Sequence, residues 1–117
     1  MNILFILNEA PYGNERMYNA FRLAHQIRKD HPQTGVRVFL MADAVTAALP
    51  NQNTPNGYYN IARMMKLLLN DGAEIKLCGS CVQARGLEEV TLMEKVEVSN
   101  MQQLAAWTVA SDKVLVF

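Results

Sequence analysis

Continuous apolar runs alternate along the chain with stretches whose apolar residues recur every three or four positions. Asn2 to Asn8 holds the run Ile-Leu-Phe-Ile-Leu, the pattern of a strand covered on both faces. Ala10-Pro11-Tyr12-Gly13-Asn14 breaks it, and Asn14 is placed to cap a helix with Glu15 in its first turn. Met17, Ala20, Phe21, Ala24 and Ile27 then repeat at helical spacing, and His31-Pro32 with Gly35 ends the segment. Val36 to Met41 reads as a second strand. Asp43 is placed to cap a short helix over Ala44 to Leu49, and Thr54-Pro55-Asn56-Gly57 has the residues of a tight turn.

Tyr59 to Asn70 predicts a further helix with Ile61, Met64, Met65 and Leu68 on one face. Leu67 and Leu69 widen that face beyond what a single sheet contact requires, and Gly72 is the stop. Glu74 to Leu77 predicts a third strand leading into Cys78, Ser80 to Ala84 a short helix, and Lys95 to Val98 a weak fourth strand. Ser99-Asn100-Met101-Gln102 fits a capping box. Met101, Leu104, Ala105 and Thr108 then supply an inner helix face, and Val114 to Phe117 a last buried strand. Strands alternating with helices imply right-handed crossovers. The expectation is an α/β fold, a mainly parallel sheet of about five strands between helices, formed by residues 1–117 as one domain.

Composition narrows the function classes. The chain has 117 residues, 50% hydrophobic and 19% charged, enough for a core without metal or disulfide staples. Eleven Lys and Arg balance eleven Asp and Glu, so the cationic footprint of a nucleic-acid binder is not expected. No apolar run approaches the ~20 residues of a membrane span, and no signal peptide is read ahead of the first strand. With two closely spaced cysteines, Cys78 and Cys81, the expectation is a cytoplasmic domain with reduced, chemically available thiols.

In open α/β sheets ligands gather at the carboxyl ends of the strands. Asn8 to Gly13, Ala42-Asp43 and Cys78 all fall at such ends and are expected to line one crevice. Cys78-Gly79-Ser80-Cys81 is the sharpest signal. A thiol beginning a helix is favoured as thiolate by free backbone N–H groups, and Arg85 offers a positive charge. Such a thiolate can hold sulfane sulfur as a persulfide or form a disulfide with Cys81. The plainer alternative is a small hydrophobe ending a strand. Arg85 likewise has the alternative of pairing with Glu88 or Glu89, and Asp43 beside Cys78 would raise the thiol pKa.

Two cysteines fall short of the four ligands of structural zinc, and His25 and His31 read as exposed helix residues, so no metal site is expected. The turn Ala10 to Asn14 holds one glycine and lacks the G-x-G-x-x-G that admits a pyrophosphate. Dinucleotide and nucleotide cofactors are therefore disfavoured. Tyr12 is a candidate for the crevice wall, and Trp107 reads as a packing anchor.

Several ordered blocks carry a resemblance: Ala10-Pro11-Tyr12-Gly13, Phe39 to Ala47, Lys76-Leu77-Cys78-Gly79-Ser80-Cys81, Trp107-Thr108 and Asp112 to Leu115. Across essentially the whole chain they resemble the DsrE/DsrF-like sulfur-relay family. The resemblance implies a three-layer α/β/α subunit that self-associates as a homotrimer or homohexamer. It implies that Cys78, followed by Arg85-Gly86, carries persulfide sulfur between donor and acceptor proteins, without a bound cofactor. In that reading Arg85, the Gly79 and Ser80 amides and Tyr12 steady the anion, and Asp43 shapes the crevice. Cys81 departs from the relay subunits, which leaves two alternatives. One is a dithiol redox protein; the other is an oligomeric small-ligand module with incidental thiols.

Overall fold

A computed structural model describes residues 1–117. Five strands form one sheet in the order β4-β3-β2-β1-β5, with every neighbouring pair parallel. In chain order the elements are β1 (Asn2–Leu7), α1 (Arg16–Asp30), β2 (Gly35–Leu40), a 3-10 segment (Ala42–Ala48) and α2 (Ile61–Asn70). They continue with β3 (Glu74–Cys78), α3 (Gly79–Ala84), β4 (Glu97–Ser99), α4 (Met101–Ala110) and β5 (Lys113–Val116). The expected α/β architecture with a parallel sheet is the observed one.

Register fixes what each face meets. Phe5 lies opposite Val38 and Ile6 opposite Phe39, and side chains alternate between faces along a strand. Phe5, Leu7 and Val38 meet Ala20, Phe21 and Ala24 of α1, and α2 packs beside α1. On the other face Phe39 meets Trp107 of α4 edge to face, with ring centroids 6.2 Å apart. Arg37 and Lys76 place their charges over the same indole at 5.3 and 5.0 Å. A desolvated indole attracts such cations through its ring quadrupole. Trp107 is the packing anchor expected from sequence.

The departures have local causes. Residue 15, not 14, takes the N-cap position of α1; the Asn14 side chain accepts from the Arg16 N–H at 3.0 Å, and Glu15 stays outside the first turn. Asp43 does not cap the segment after β2. Met41 occupies that position with no side-chain cap, and Asp43 sits inside the first turn. The helix expected from Tyr59 begins at Ile61, because the Asn60 side chain accepts from the Arg63 N–H at 3.0 Å and closes the first turn there. At α4 Asn100 caps instead of Ser99, accepting from the Gln103 N–H at 2.9 Å, because Ser99 is committed to pairing with Cys78 in the sheet. Leu104 faces inward as expected and Trp107 joins it, whereas Met101, Ala105 and Thr108 are exposed.

His25, expected exposed, is half-buried and donates from Nε2 to the Met64 carbonyl at 2.9 Å, tying α1 to α2. The last strand is not buried. β5 pairs only with β1, and register puts Val114 and Val116 on the α4 face, where α4 packs on β1 and, through Trp107, on Phe39 of β2 and leaves β5 uncovered. Val116 is 66% exposed and Val109 of α4 is 88% exposed. No helix is long and apolar enough to cross a membrane.

Candidate functional site at the end of β3

β3 delivers Cys78 as its last residue, and α3 starts at once, with Cys78 in the N-cap position. So tight a strand-to-helix turn requires Gly79: a Cβ there would lie 2.8 Å from the Ser99 carbonyl oxygen. Gly79 thus serves close approach of α3 to β4, and its amide is not among the groups that meet the sulfur.

The Cys78 sulfur is surrounded by donors. The Cys81 N–H reaches it at 3.4 Å and the Ser80 hydroxyl oxygen lies at 3.3 Å. Burial pushes the Cys78 thiol up, but hydrogen bonds from the Cys81 thiol, the Ser80 hydroxyl and the amides of residues 80 and 81 outweigh it and hold the thiol below its ordinary range. Burial pushes Cys81 the other way, above its ordinary range, aided by the hydrogen bond to Cys78. The pair therefore divides one proton unequally: Cys78 is the anion-prone sulfur and Cys81 the donor. Both cysteines are free thiols, and Cys78 keeps 8% of its surface exposed.

Ala42 approaches from the end of β2 and donates its N–H to the Cys81 sulfur at 3.2 Å. Its φ of 51° lies in the left-handed region, where a side chain costs about 1–2 kcal/mol. The strain directs that amide at the sulfur. Arg85 is held by Asp43, Nε to Oδ1 at 2.8 Å, and its Nη1 donates to the Cys81 carbonyl at 3.1 Å. Arg85 thus acts on Cys81 rather than Cys78, and Asp43 reaches the site only through Arg85. The alternative pairing of Arg85 with Glu88 or Glu89 is not formed; Glu88 instead accepts from Gln83.

Tyr12 is engaged elsewhere. Its hydroxyl donates to Gln52 Oε1 at 2.7 Å and accepts from the Ile61 N–H at 3.1 Å. Its ring stacks on Tyr59 at 5.8 Å, and Tyr59 stacks in turn on Tyr18 and Tyr58. A hydrogen bond with Tyr58 and burial push Tyr59 up to about 12, so Tyr59 stays protonated. The expected single crevice is therefore two places: Cys78, Ser80, Cys81, Ala42, Asp43 and Arg85 at one, Tyr12 and the other tyrosines at the other.

Sequence reasoning placed Ala42 at the crevice but missed its role, and missed Gln52 altogether. Ala42 as a sulfur ligand leaves no trace in sequence, because a backbone amide belongs to every residue and a left-handed alanine looks like any other. Gln52 links the Tyr12 hydroxyl, the Ala62 N–H and the carbonyls of Ala47 and Leu49, and a lone glutamine in a polar loop carries no signal of this. The roomiest recess, about 370 Å³, lies among Pro50, Lys66, Leu69, Met93 and Lys95 and includes neither cysteine. No three His, Cys, Asp or Glu side chains converge on one point.

The DsrE/DsrF-like family model matches residues 1–117. Protein YchN of Escherichia coli K12 is 41% identical over 115 residues, covering 98% of this chain and 97% of that one. An uncharacterised protein of Methanopyrus kandleri is 37% identical over 115 residues, 98% of this chain and 93% of its own. The crystal structure of the ychN protein from E. coli superposes with a TM-score of 0.94 at 40% identity, covering 100% of this chain and 99% of that one. With the parallel sheet and the cysteine-bearing turn in place along the same length of chain, these matches make the protein a member of the DsrE/DsrF-like family.

Proposed function

We propose that the protein is a sulfur carrier in which Cys78 accepts and donates a persulfide, a sulfurtransferase-like role needing no bound cofactor. One observation carries the reading: the Cys78 sulfur meets the Cys81 amide and the Ser80 hydroxyl together, and its thiol is held low despite burial. The thiolate is the nucleophile. It attacks the outer sulfur of a donor persulfide and releases the donor thiolate, leaving Cys78–S–SH. Membership of a family implicated in sulfur relay supports the same reading.

The surroundings add proposals of the same kind. Reduced thiols suit a cytoplasmic setting. The exposed strip of Val109, Val114 and Val116 favours self-association as a homotrimer or homohexamer, which sedimentation equilibrium tests. Donor and acceptor are proteins or small thiols able to reach a sulfur that is only slightly exposed.

The test is intact-mass spectrometry after incubation with a cysteine desulfurase and cysteine. A reducible gain of one sulfur that disappears in Cys78→Ser supports the carrier. Uptake lost in Cys81→Ser but kept in Cys78→Ser refutes the assigned roles. The two free thiols, three residues apart with the Cys81 N–H 3.4 Å from the Cys78 sulfur, favour a second reading, a dithiol redox protein. A Cys78–Cys81 disulfide poised near cellular thiols, with no sulfur uptake in wild type or in Cys81→Ser, would establish that reading instead.

A further inference from the structure

We propose that Cys81 gives the carrier site an internal exit, resolving the Cys78 persulfide to a disulfide and releasing its sulfur as sulfide; this rests on the carrier reading. Simple transfer of sulfane sulfur from Cys78 to an outside acceptor makes no use of Cys81. Yet Ala42 and Arg85 both contact Cys81, and Asp43 anchors Arg85. Ala42 donates its amide to the Cys81 sulfur at 3.2 Å from a left-handed conformation. Arg85 holds the Cys81 carbonyl at 3.1 Å and is itself anchored by Asp43 at 2.8 Å.

These contacts hold Cys81 beside Cys78. Cys81 stands three residues after Cys78 at the start of α3, its N–H 3.4 Å from the Cys78 sulfur. Burial adds to the argument, because Cys78 is only 8% exposed. An external acceptor must find that sulfur, whereas Cys81 already touches it, and a fixed neighbour acts as a reactant at high effective concentration.

The step balances. The Cys81 sulfur attacks the inner sulfur of Cys78–S–SH, the Cys78–Cys81 bond forms, and the inner-to-outer S–S bond breaks. The electron pair leaves with the outer sulfur as hydrosulfide, which takes the Cys81 proton and departs as H₂S. Sulfane sulfur is reduced to sulfide while two thiol sulfurs are oxidised to a disulfide. The Ala42 amide and the Arg85 charge favour negative charge on Cys81 as its proton leaves. A dithiol reductant restores the pair by thiol–disulfide exchange.

The test uses the full chain under anaerobic, reductant-free conditions with glutathione persulfide as donor, following intact mass and trapping sulfide with monobromobimane. Wild type is expected to lose two hydrogens and release about one equivalent of sulfide beyond the Cys78→Ser background. Cys81→Ser is expected to keep one added sulfur, with a persulfide lifetime longer by about tenfold or more. Cys81→Ala should behave the same, separating chemistry from any packing effect of serine. Wild type holding its added sulfur as long as Cys81→Ser overturns the internal exit and leaves the carrier reading standing. Disulfide formed without excess sulfide, at the rate given by oxidised glutathione alone, also overturns it. Absence of uptake in Cys81→Ser overturns the carrier reading and the exit together.

Discussion

The carboxyl ends of β1 and β3 lie at the same end of the parallel sheet, and each follows a buried strand. At β3 no residue separates strand from helix, and the polar groups near the junction point at sulfur: the amide of Cys81, the hydroxyl of Ser80 and, from the end of β2, the amide of Ala42. After β1 the polar groups are consumed by the fold itself. Tyr12 bridges Gln52 and the Ile61 amide, and its ring joins a stack holding all four tyrosines. Position at a strand's carboxyl end thus allows a site without making one. What distinguishes the two is whether donors remain uncommitted to backbone once the loop has closed.

Substitutions at the two ends should separate chemistry from stability. The largest effect is expected from Cys78→Ser: pseudo-first-order alkylation by iodoacetamide at neutral pH should slow by about tenfold or more, since Cys81 is left with the less acidic thiol. The pH profile gives the sign. A thiol held low is deprotonated at lower pH, so in wild type the alkylation rate should rise with pH earlier at Cys78 than at Cys81, read by peptide mapping across the titration. Simultaneous labelling of both cysteines at every pH would dissolve the distinction between them.

Tyr12→Phe should do the reverse. It removes the hydroxyl that serves Gln52 and Ile61, so urea unfolding should show a loss of about 1–3 kcal/mol with the Cys78 alkylation rate unchanged. A slowed Cys78 would join the two regions after all. Ser80→Ala removes one donor from the sulfur and nothing from the core. It should slow Cys78 alkylation at neutral pH by about fivefold, corresponding to a hydrogen bond worth ~1 kcal/mol, with little change in the denaturation midpoint. The smallest effect is expected at Ala42→Gly, where relief of the left-handed backbone should stabilise the fold by about 0.5–1 kcal/mol. Destabilisation there would mean that the methyl packs with more energy than the strain costs.

Legibility differed between fold and site for physical reasons. The run Ile3 to Leu7 and the 3.6-residue spacing of Met17, Ala20, Phe21 and Ala24 reported β1 and α1, because burial acts on each side chain where it stands. Helix starts slipped by one or two residues wherever Asn side chains competed for the cap. Asn60 caps α2, so the helix starts after Tyr59, and Asn100 takes the α4 cap from Ser99. β5 read as buried because its four apolar letters resemble a central strand, and sequence does not say which strand lies at an edge.

By itself the sequence determined the alternation of strands and helices, the crossover-linked parallel sheet and the presence of a thiol pair at the turn after β3. These follow from local periodicity and from residue types whose chemistry travels with them. Tertiary structure alone decided which groups meet each sulfur. Ala42 reaches Cys81, and Asp43 reaches Arg85, across about 40 residues of chain, a separation along which no local pattern is transmitted. Tyr12, equally distant from Gln52, was drawn into a different network. Hydrogen bonds and ion pairs between remote residues depend on strand order and register, and those emerge only when the whole sheet has closed.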